Sequence, residues 1–481
     1  MTYASTASKS SRLGDYYLIL LSGVLMGYAV IGKGFAYLGI PPIFIGEIVL
    51  LAGIVIVVLF RTGCFIAAFA TLPSLLLAAA MGWVALRTLP YVSEYGVDAF
   101  RDSVVITYGG FSFIVIALLL DDSRRVNTIL RYYGTFLSIF IPVIPFIIAL
   151  NIPSEHMDAL RAYIPSIPGY DVPVLQVRGG EAATHLAGAC VFALVGFRKV
   201  TVRWISPIFA AAVMISSGRA AMLTFVLPVA FAMLMLGKMR ELATILVIGI
   251  VIFFAAYAIE AAFKYRDARP PDERSLSTQQ IADNVVSIVG SSGKEELEGT
   301  KQWRQAWWGI ILADTVYGPD FWTGRGFGLN LADADGFQQR RNPNSPPLRS
   351  PHSVHMTVLA RAGVPGAVLW AVLLASWFGA VMHAMLTARH RGQTEWAGLF
   401  LFICCYVMAI IIDATFDVAL EGPMIGIWFW CLVGFGIGSV MIYRAQLQYQ
   451  HHLECREASS RRIASLNDGG GLPRNQITRG R

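Results

Sequence analysis

Residues 395–413 read EWAGLFLFICCYVMAIIID and residues 423–443 read PMIGIWFWCLVGFGIGSVMIY. Neither run alternates apolar with polar residues as a half-buried strand would, and each comes close to the roughly 20 residues that a helix needs to cross a bilayer. Hydrocarbon offers backbone groups no water, so only helices and closed barrels span it, and runs this long and unalternating fit helices. Further apolar runs precede them at 16–32, 43–60, 66–86, 104–120, 128–150, 183–197, 204–217, 219–236, 241–260 and 354–387. The expected fold class is all-α, a polytopic transmembrane helical bundle of about 12 spans. The 354–387 run is too long for one simple span, so its first turns are expected in the membrane interface.

Composition supports the same reading. Of 481 residues, 56% are hydrophobic and only 14% charged, with mean hydropathy +0.58, too little charge to clothe soluble domains of this length. Lys9 and Arg12 ahead of the first run look like the start of a signal peptide. No small-residue cleavage pattern follows, however, and the first run reads as a retained span. The six cysteines, Cys64, Cys190, Cys404, Cys405, Cys431 and Cys455, form no CxxC pair and lie mostly in apolar runs. Neither disulfides nor a zinc site is expected. The formal charge of +7 is explained by basic cytoplasmic loops, so no nucleic-acid partner is inferred from it.

Basic linkers follow alternate runs: Arg61, Arg124-Arg125 with Arg131, Arg198-Lys199 with Arg203, Lys238 with Arg240, and Arg389-His390-Arg391. The positive-inside rule places them, and both termini, in the cytoplasm. The other side then receives 87–103, 151–182, 261–352 and the 413–422 turn. The expected organisation is a cytoplasmic tail over 1–15, spans 1–9 over 16–260, a long periplasmic loop with short helices over 261–352, spans 10–12 over 353–443, and a disordered basic cytoplasmic tail over 444–481.

The long loop holds several candidate features. Gly290-Ser291-Ser292-Gly293-Lys294 is not a phosphate-binding P-loop, because Ile288 stands where Gly is needed and Glu295 where Ser or Thr is needed. It reads as a linker. In QWRQAWWGIILADTVYG, beginning at Gln302, residues Trp303, Trp307, Ile310 and Ile311 share a helical face with Trp308 adjoining, which suits the headgroup boundary. Arg304 and Trp308 share a flank. Arg304 is read either as a phosphate contact or as a snorkelling side chain. Gly324, Gly326 and Gly328 allow positive φ or close backbone approach. His352 and His355, spaced three apart, lack a carboxylate or thiol at ligand spacing, which argues against a metal site there.

Three stretches together resemble the O-antigen ligase and polymerase superfamily, integral-membrane glycosyltransferases acting on undecaprenyl-diphosphate-linked glycans. They are Ser216-Ser217-Gly218-Arg219, then Trp303-Arg304 through Trp322 to the glycines at 324–328, and Pro351-His352-Ser353 followed by Leu359 to Gly366. Ser353 departs from the Asn that often follows this His in the family. The likeness covers roughly 180–440.

The resemblance implies a metal-independent, inverting transfer with no cofactor, the partners being an undecaprenyl-diphosphate-linked glycan donor, a glycan or lipid A-core acceptor, the lipid bilayer, and a chain-length regulator or flippase. It places the protein in the bacterial inner membrane with its active face in the periplasm. Arginine's permanent charge and forked donors suit a departing diphosphate, which makes Arg219 a catalytic candidate. Histidine can accept the acceptor hydroxyl's proton, which makes His352 the candidate general base. Arg304, Arg325 and Arg101 are candidate diphosphate or glycan contacts. For Arg325 a solvated loop arginine, and for Arg101 an ion pair with Asp102, are the alternatives. His185 reads as a buried, hydrogen-bonded histidine. Asp413, Asp417 and Glu421 either bind sugar hydroxyls or shape a turn. Polymerisation is preferred over ligation, and a multispan transporter or flippase is the competing class; neither internal repeats nor trusted polar residues at midplane favour it.

Overall fold

The computed structural model describes residues 9–151, 163–167, 173–199, 201–215, 218–263, 278–289, 295–338 and 347–468. The chain forms an all-α bundle whose principal helices are α1 (Lys9–Val30), α2 (Ile45–Phe60), α3 (Leu72–Thr88), α4 (Val97–Thr107), α5 (Gly110–Asp121), α6 (Arg125–Asn151), α7 (Gly179–Leu194), α8 (Val202–Ile215), α9 (Arg219–Met235), α10 (Met239–Phe263), α11 (Thr278–Val289), α12 (Glu295–Thr315), α13 (Val354–His390), α14 (Thr394–Phe416) and α15 (Pro423–Asp468). Each apolar run read from the sequence coincides with one of these helices or with a pair of them. Among the described residues seven helices are long and apolar enough to cross a membrane, and α4 with α5, bent by 42°, make an eighth if counted as one span. α2, α9 and the Trp204–Ile215 part of α8 are shorter apolar helices.

α5, α14 and the first half of α15 are buried over nearly their whole lengths and form the centre, while α10 faces outward along its length. Tyr133 and Phe136 of α6, Tyr406 of α14 and Trp428 of α15 pack ring against ring, with His185 of α7 among them. The His185 Nδ1 lies 2.5 Å from the Tyr406 hydroxyl, so this histidine is the buried, hydrogen-bonded residue that its sequence context suggested.

Two expectations are corrected. α15 continues unbroken to Asp468, so the stretch 444–468 is helical rather than a disordered tail; its Ala, Leu, Gln, Glu and Arg content favours helix. The remainder of that tail, the KYRDARPPDER stretch and the Gly290–Gly293 linker lie outside the described residues. The tryptophan face of α12 is also not laid against headgroups. Trp307 and Ile311 are fully buried with Leu331, Leu359 and Ala360, and Trp307 donates its indole N–H to Asp335 at 2.7 Å while stacking on Phe337. Trp307 and Ile311 share the buried face as the spacing predicts, but Ile310 is exposed and the face has a protein partner, which satisfies the indole dipole better than a boundary position would.

α13 is two helices joined at Gly363, whose φ of 70° breaks the ladder. The carbonyls so freed are taken up from outside the helix. Arg325 N–H donates to Ala360 at 2.8 Å, Gly326 N–H to Arg361 at 3.0 Å, and the Trp83 indole to Ala362 at 2.8 Å. Gly324, with φ 60°, sits so close that a Cβ there would meet the Arg361 backbone at 2.5 Å. The glycine run therefore docks the loop onto the broken helix.

The dock is locked by charge. Asp102 of α4 receives Arg349 at 2.9 Å and the buried Arg361 at 3.0 Å, and accepts the Gly328 N–H at 3.1 Å, while Asp98 holds Arg349 at 3.0 Å. The expected Arg101–Asp102 pair is thus replaced, since Asp102 points inward and Arg101 is exposed.

At the other end of the bundle basic side chains close helix C-termini. Lys238 donates to Leu194 O at 3.2 Å and Arg389 to Met235 O, and Arg125 joins Asp15 and Asp121 at 2.8 and 2.7 Å. Cations there complement the helix dipoles.

Two outcomes are expected. Asp102→Ala strands the Arg361 guanidinium, and removing one partner of a buried pair costs about 3–5 kcal/mol; thermal unfolding of detergent-purified protein tests this, and an unchanged Tm would refute the clamp. Loading of basic residues at the end opposite the glycine dock predicts that a fluorescent protein fused after Arg481 lights up while alkaline phosphatase fused there stays inactive. The reverse pattern would invert the topology.

Candidate functional site

His352 sits immediately before α13 in the left-handed region, at φ 52°. A non-glycine residue there costs of order 1–3 kcal/mol and persists only where its surroundings hold it. They do so on both sides: the Trp308 indole donates to Pro351 O at 2.9 Å, and the Thr357 N–H closes the first helical turn on Ser353 O at 2.9 Å. The conformation aims the imidazole at the turn after α14, where Nδ1 lies 3.3 Å from Asp417 Oδ1. Trp303 meets the ring edge to face with centroids 6.1 Å apart.

Asp417 Oδ1 also receives the Arg178 guanidinium at 3.2 Å and the Val418 N–H at 2.8 Å. Burial alone would raise the Asp417 carboxyl, but Arg178 and the His352 hydrogen bond hold it well below the usual carboxylate range. An ionised Asp417 fixes the proton on His352 Nδ1 and leaves Nε2 with a free lone pair, the form a general base requires. His352 keeps 28% of its side-chain surface open.

The supporting residues are tightly placed. Arg178 precedes α7, and its N–H is accepted by Glu181 at 3.1 Å. Asp413, on the last turn of α14, is buried with Oδ1 lacking a hydrogen-bond partner among the described residues, and it presses against Gly180, where a Cβ would fall 1.9 Å from that oxygen. Glu421 accepts from Thr357 at 2.7 Å, and burial pushes its carboxyl up against the opposing effect of hydrogen bonds from Ser350 and Thr357. His355 receives the Trp370 indole on Nδ1 at 3.1 Å and donates from Nε2 to Thr415 at 3.1 Å. Both its ring nitrogens are engaged, so it positions α13 against α14 and does not pair with His352 as a ligand.

The candidates read from the sequence fare differently. α9 begins at Arg219, and Ala221 packs against Gly179, so Arg219 lies half-buried at the same end of the bundle as Arg178 and His352. Arg304 follows Trp303 on α12 and is likewise half-buried. Arg325 is gripped by Asp335 at 2.5 Å, Asp320 at 3.6 Å and Asp314, so its charge is spent inside the loop. Arg101 stands exposed on α4. Sequence reasoning did not single out Arg178 and left Asp417 between binding sugar hydroxyls and shaping a turn. Only the acid at the third helical position, Glu181, after an Arg-Gly-Gly start hinted at a capped helix end there.

Residues 204–371 match the family model described as O-antigen ligase. No curated protein sequence matches the chain significantly. The matched stretch runs from α8 into α13 and includes Arg219, Arg304, Arg325 and His352, whereas Arg178 and Asp417 lie outside it. On a multi-pass helical chain whose residue order already resembled that group, this match over residues 204–371 supports a place for the chain in the O-antigen ligase/polymerase superfamily.

Proposed function

We propose that the protein transfers an oligosaccharide from a polyprenyl diphosphate to a hydroxyl of an acceptor glycan at the periplasmic membrane face, extending a chain of repeat units. The single observation that carries this reading is the His352–Asp417 pair, presented at the head of α13 on a side chain that is only partly buried. The acceptor hydroxyl would give its proton to His352 Nε2 as its oxygen attacks the anomeric carbon. The bond from that carbon to the diphosphate breaks on the opposite side, with inversion, and the electron pair leaves with the polyprenyl diphosphate. The leaving group needs no proton, only cations, and Arg219 with Arg304 supply charge at that end. The residues named act without a metal or cofactor, as general base and charge partners.

Ligation of a finished polymer to lipid A-core uses the same chemistry with a different acceptor. Transport is the reading of another class; Arg178, Asp417 and Glu421 gather with a strained histidine at one end of the bundle, which suits bond-making at an interface better than alternating access through the midplane.

His352→Ala is expected to lower glycan transfer by roughly 10²–10⁴-fold, the usual range for a lost general base, with normal protein levels. Asp417→Asn should fall in the same direction, because the proton on His352 Nδ1 loses its fixed acceptor. Transfer of radiolabelled lipid-linked oligosaccharide by purified protein measures both, and full activity in either variant would remove that residue from the reaction. In a deletion strain, loss of long chains with single units still attached to their acceptor is the expected product pattern; polymer accumulating on its lipid carrier would instead identify a ligase.

A further inference from the structure

The segment 173–177 is stitched to the turn after α1. Lys33 N–H donates to Gln176 O at 2.9 Å, Gly34 N–H to Val174 O at 3.0 Å, and Gln176 N–H to Ile31 O at 3.3 Å. These bonds carry Lys33 to the start of α7, where its charge is felt by Arg178, Glu181 and Arg101. Lys33 is half-buried, and among the described residues its ammonium makes neither a hydrogen bond nor an ion pair. Burial and the like charge of Arg178 both push it below the ordinary lysine value, with Glu181 opposing. A half-buried cation whose backbone is bonded two residues before Arg178, and whose ammonium meets no carboxylate among the described residues, is an arrangement that a bound anion would relieve.

Arg178 has a second peculiarity. It and His352 reach for the same oxygen, Asp417 Oδ1, at 3.2 and 3.3 Å, both long for charge-assisted contacts. Each weakens the other's hold on that oxygen. Arg178 is also 42% exposed, so a ligand can compete for it.

We propose that Lys33 and Arg178 form the seat of the donor's diphosphate, and that its arrival draws Arg178 off Asp417 and leaves Asp417 to His352. The inference rests on the transferase reading for the identity of the anion. Its consequence is that the base reaches full strength only when the donor is in place. A hydroxyl entering first meets a histidine whose carboxylate is shared, and water is not activated in the empty enzyme. The ligand chemistry is a diphosphate ester at the membrane surface, presented by a polyprenyl chain; bulk phospholipid headgroups carry a single phosphodiester and bridge the two cations less well.

The test uses full-length protein in phosphatidylcholine nanodiscs with undecaprenyl diphosphate, which carries the charge but no sugar, and undecaprenol as the uncharged control. Lys33→Gln and Arg178→Gln are expected to weaken undecaprenyl diphosphate binding at least tenfold and leave undecaprenol binding unchanged, and Lys33→Arg is expected to restore it. Unaltered diphosphate binding in Lys33→Gln overturns the seat, even if that variant transfers glycan normally and the transferase reading stands. Where Lys33→Gln does not fold, the wild-type protein decides: undecaprenyl diphosphate should shield Lys33 from acetylation as read by mass spectrometry, and an unshielded Lys33 refutes the proposal. Equal shielding by phosphatidylglycerol would reassign the site to bulk headgroups and also overturn it. Binding through Lys33 without any glycan transfer from a sugar-bearing donor would sink the transferase reading and leave the seat intact.

Discussion

Asp102 is the carboxylate on which the His352 end of the molecule depends. It draws Arg349 from the long loop and Arg361 from the first part of α13 onto α4, and caps the Gly328 N–H besides. Buried charges are tolerated only when paired and hydrogen-bonded, so this arrangement admits one geometry and excludes sliding of the loop over the bundle. Arg349 lies three residues before His352 and Arg361 nine after it. A clamp on both flanks fixes the chain where it must take up a left-handed conformation, and the imidazole is thereby aimed at α14.

The break in α13 belongs to the same construction. A continuous helix would carry Val354–Ala362 onward along the axis of the second part; Gly363 instead frees three carbonyls that bind the loop and Trp83. The loop is thus held by backbone hydrogen bonds at the glycine run, by charge at Asp102, and by the Trp307–Phe337 stack above. Each of these alone would leave the loop hinged. Together they fix the described 320–330 and 347–353 parts of the connection against α4 and α13, with Trp303 against the His352 ring and the Trp308 indole on Pro351 O.

Much of this was readable beforehand, and the rest was not, for definite reasons. The apolar runs dictated helices because each carried its own signal over many residues. His352 and Arg219 stood out through the company of motifs around them, and both came to lie at one end of the bundle. The tryptophan face of α12 was correctly placed on one side of a helix but assigned to lipid, because periodicity tells that a face is buried and not what buries it. Arg325 offered the same ambiguity: its three acids, Asp314, Asp320 and Asp335, are near in sequence, yet nothing in their spacing shows that all converge on one guanidinium.

The sequence by itself determined that the protein is a helical membrane bundle, which segments are polar, and which histidine deserved notice, since hydropathy and local motifs are properties of contiguous residues. Tertiary structure alone decided the partners. Asp417 is separated from Arg178 by 239 positions and from His352 by 65, and no local rule joins them. Packing of α14 against α7 and of the α13 head against the turn after α14 brings one carboxylate oxygen within reach of both. Electrostatic roles depend on distances of a few ångströms in a partly buried site, and only the folded chain sets those distances.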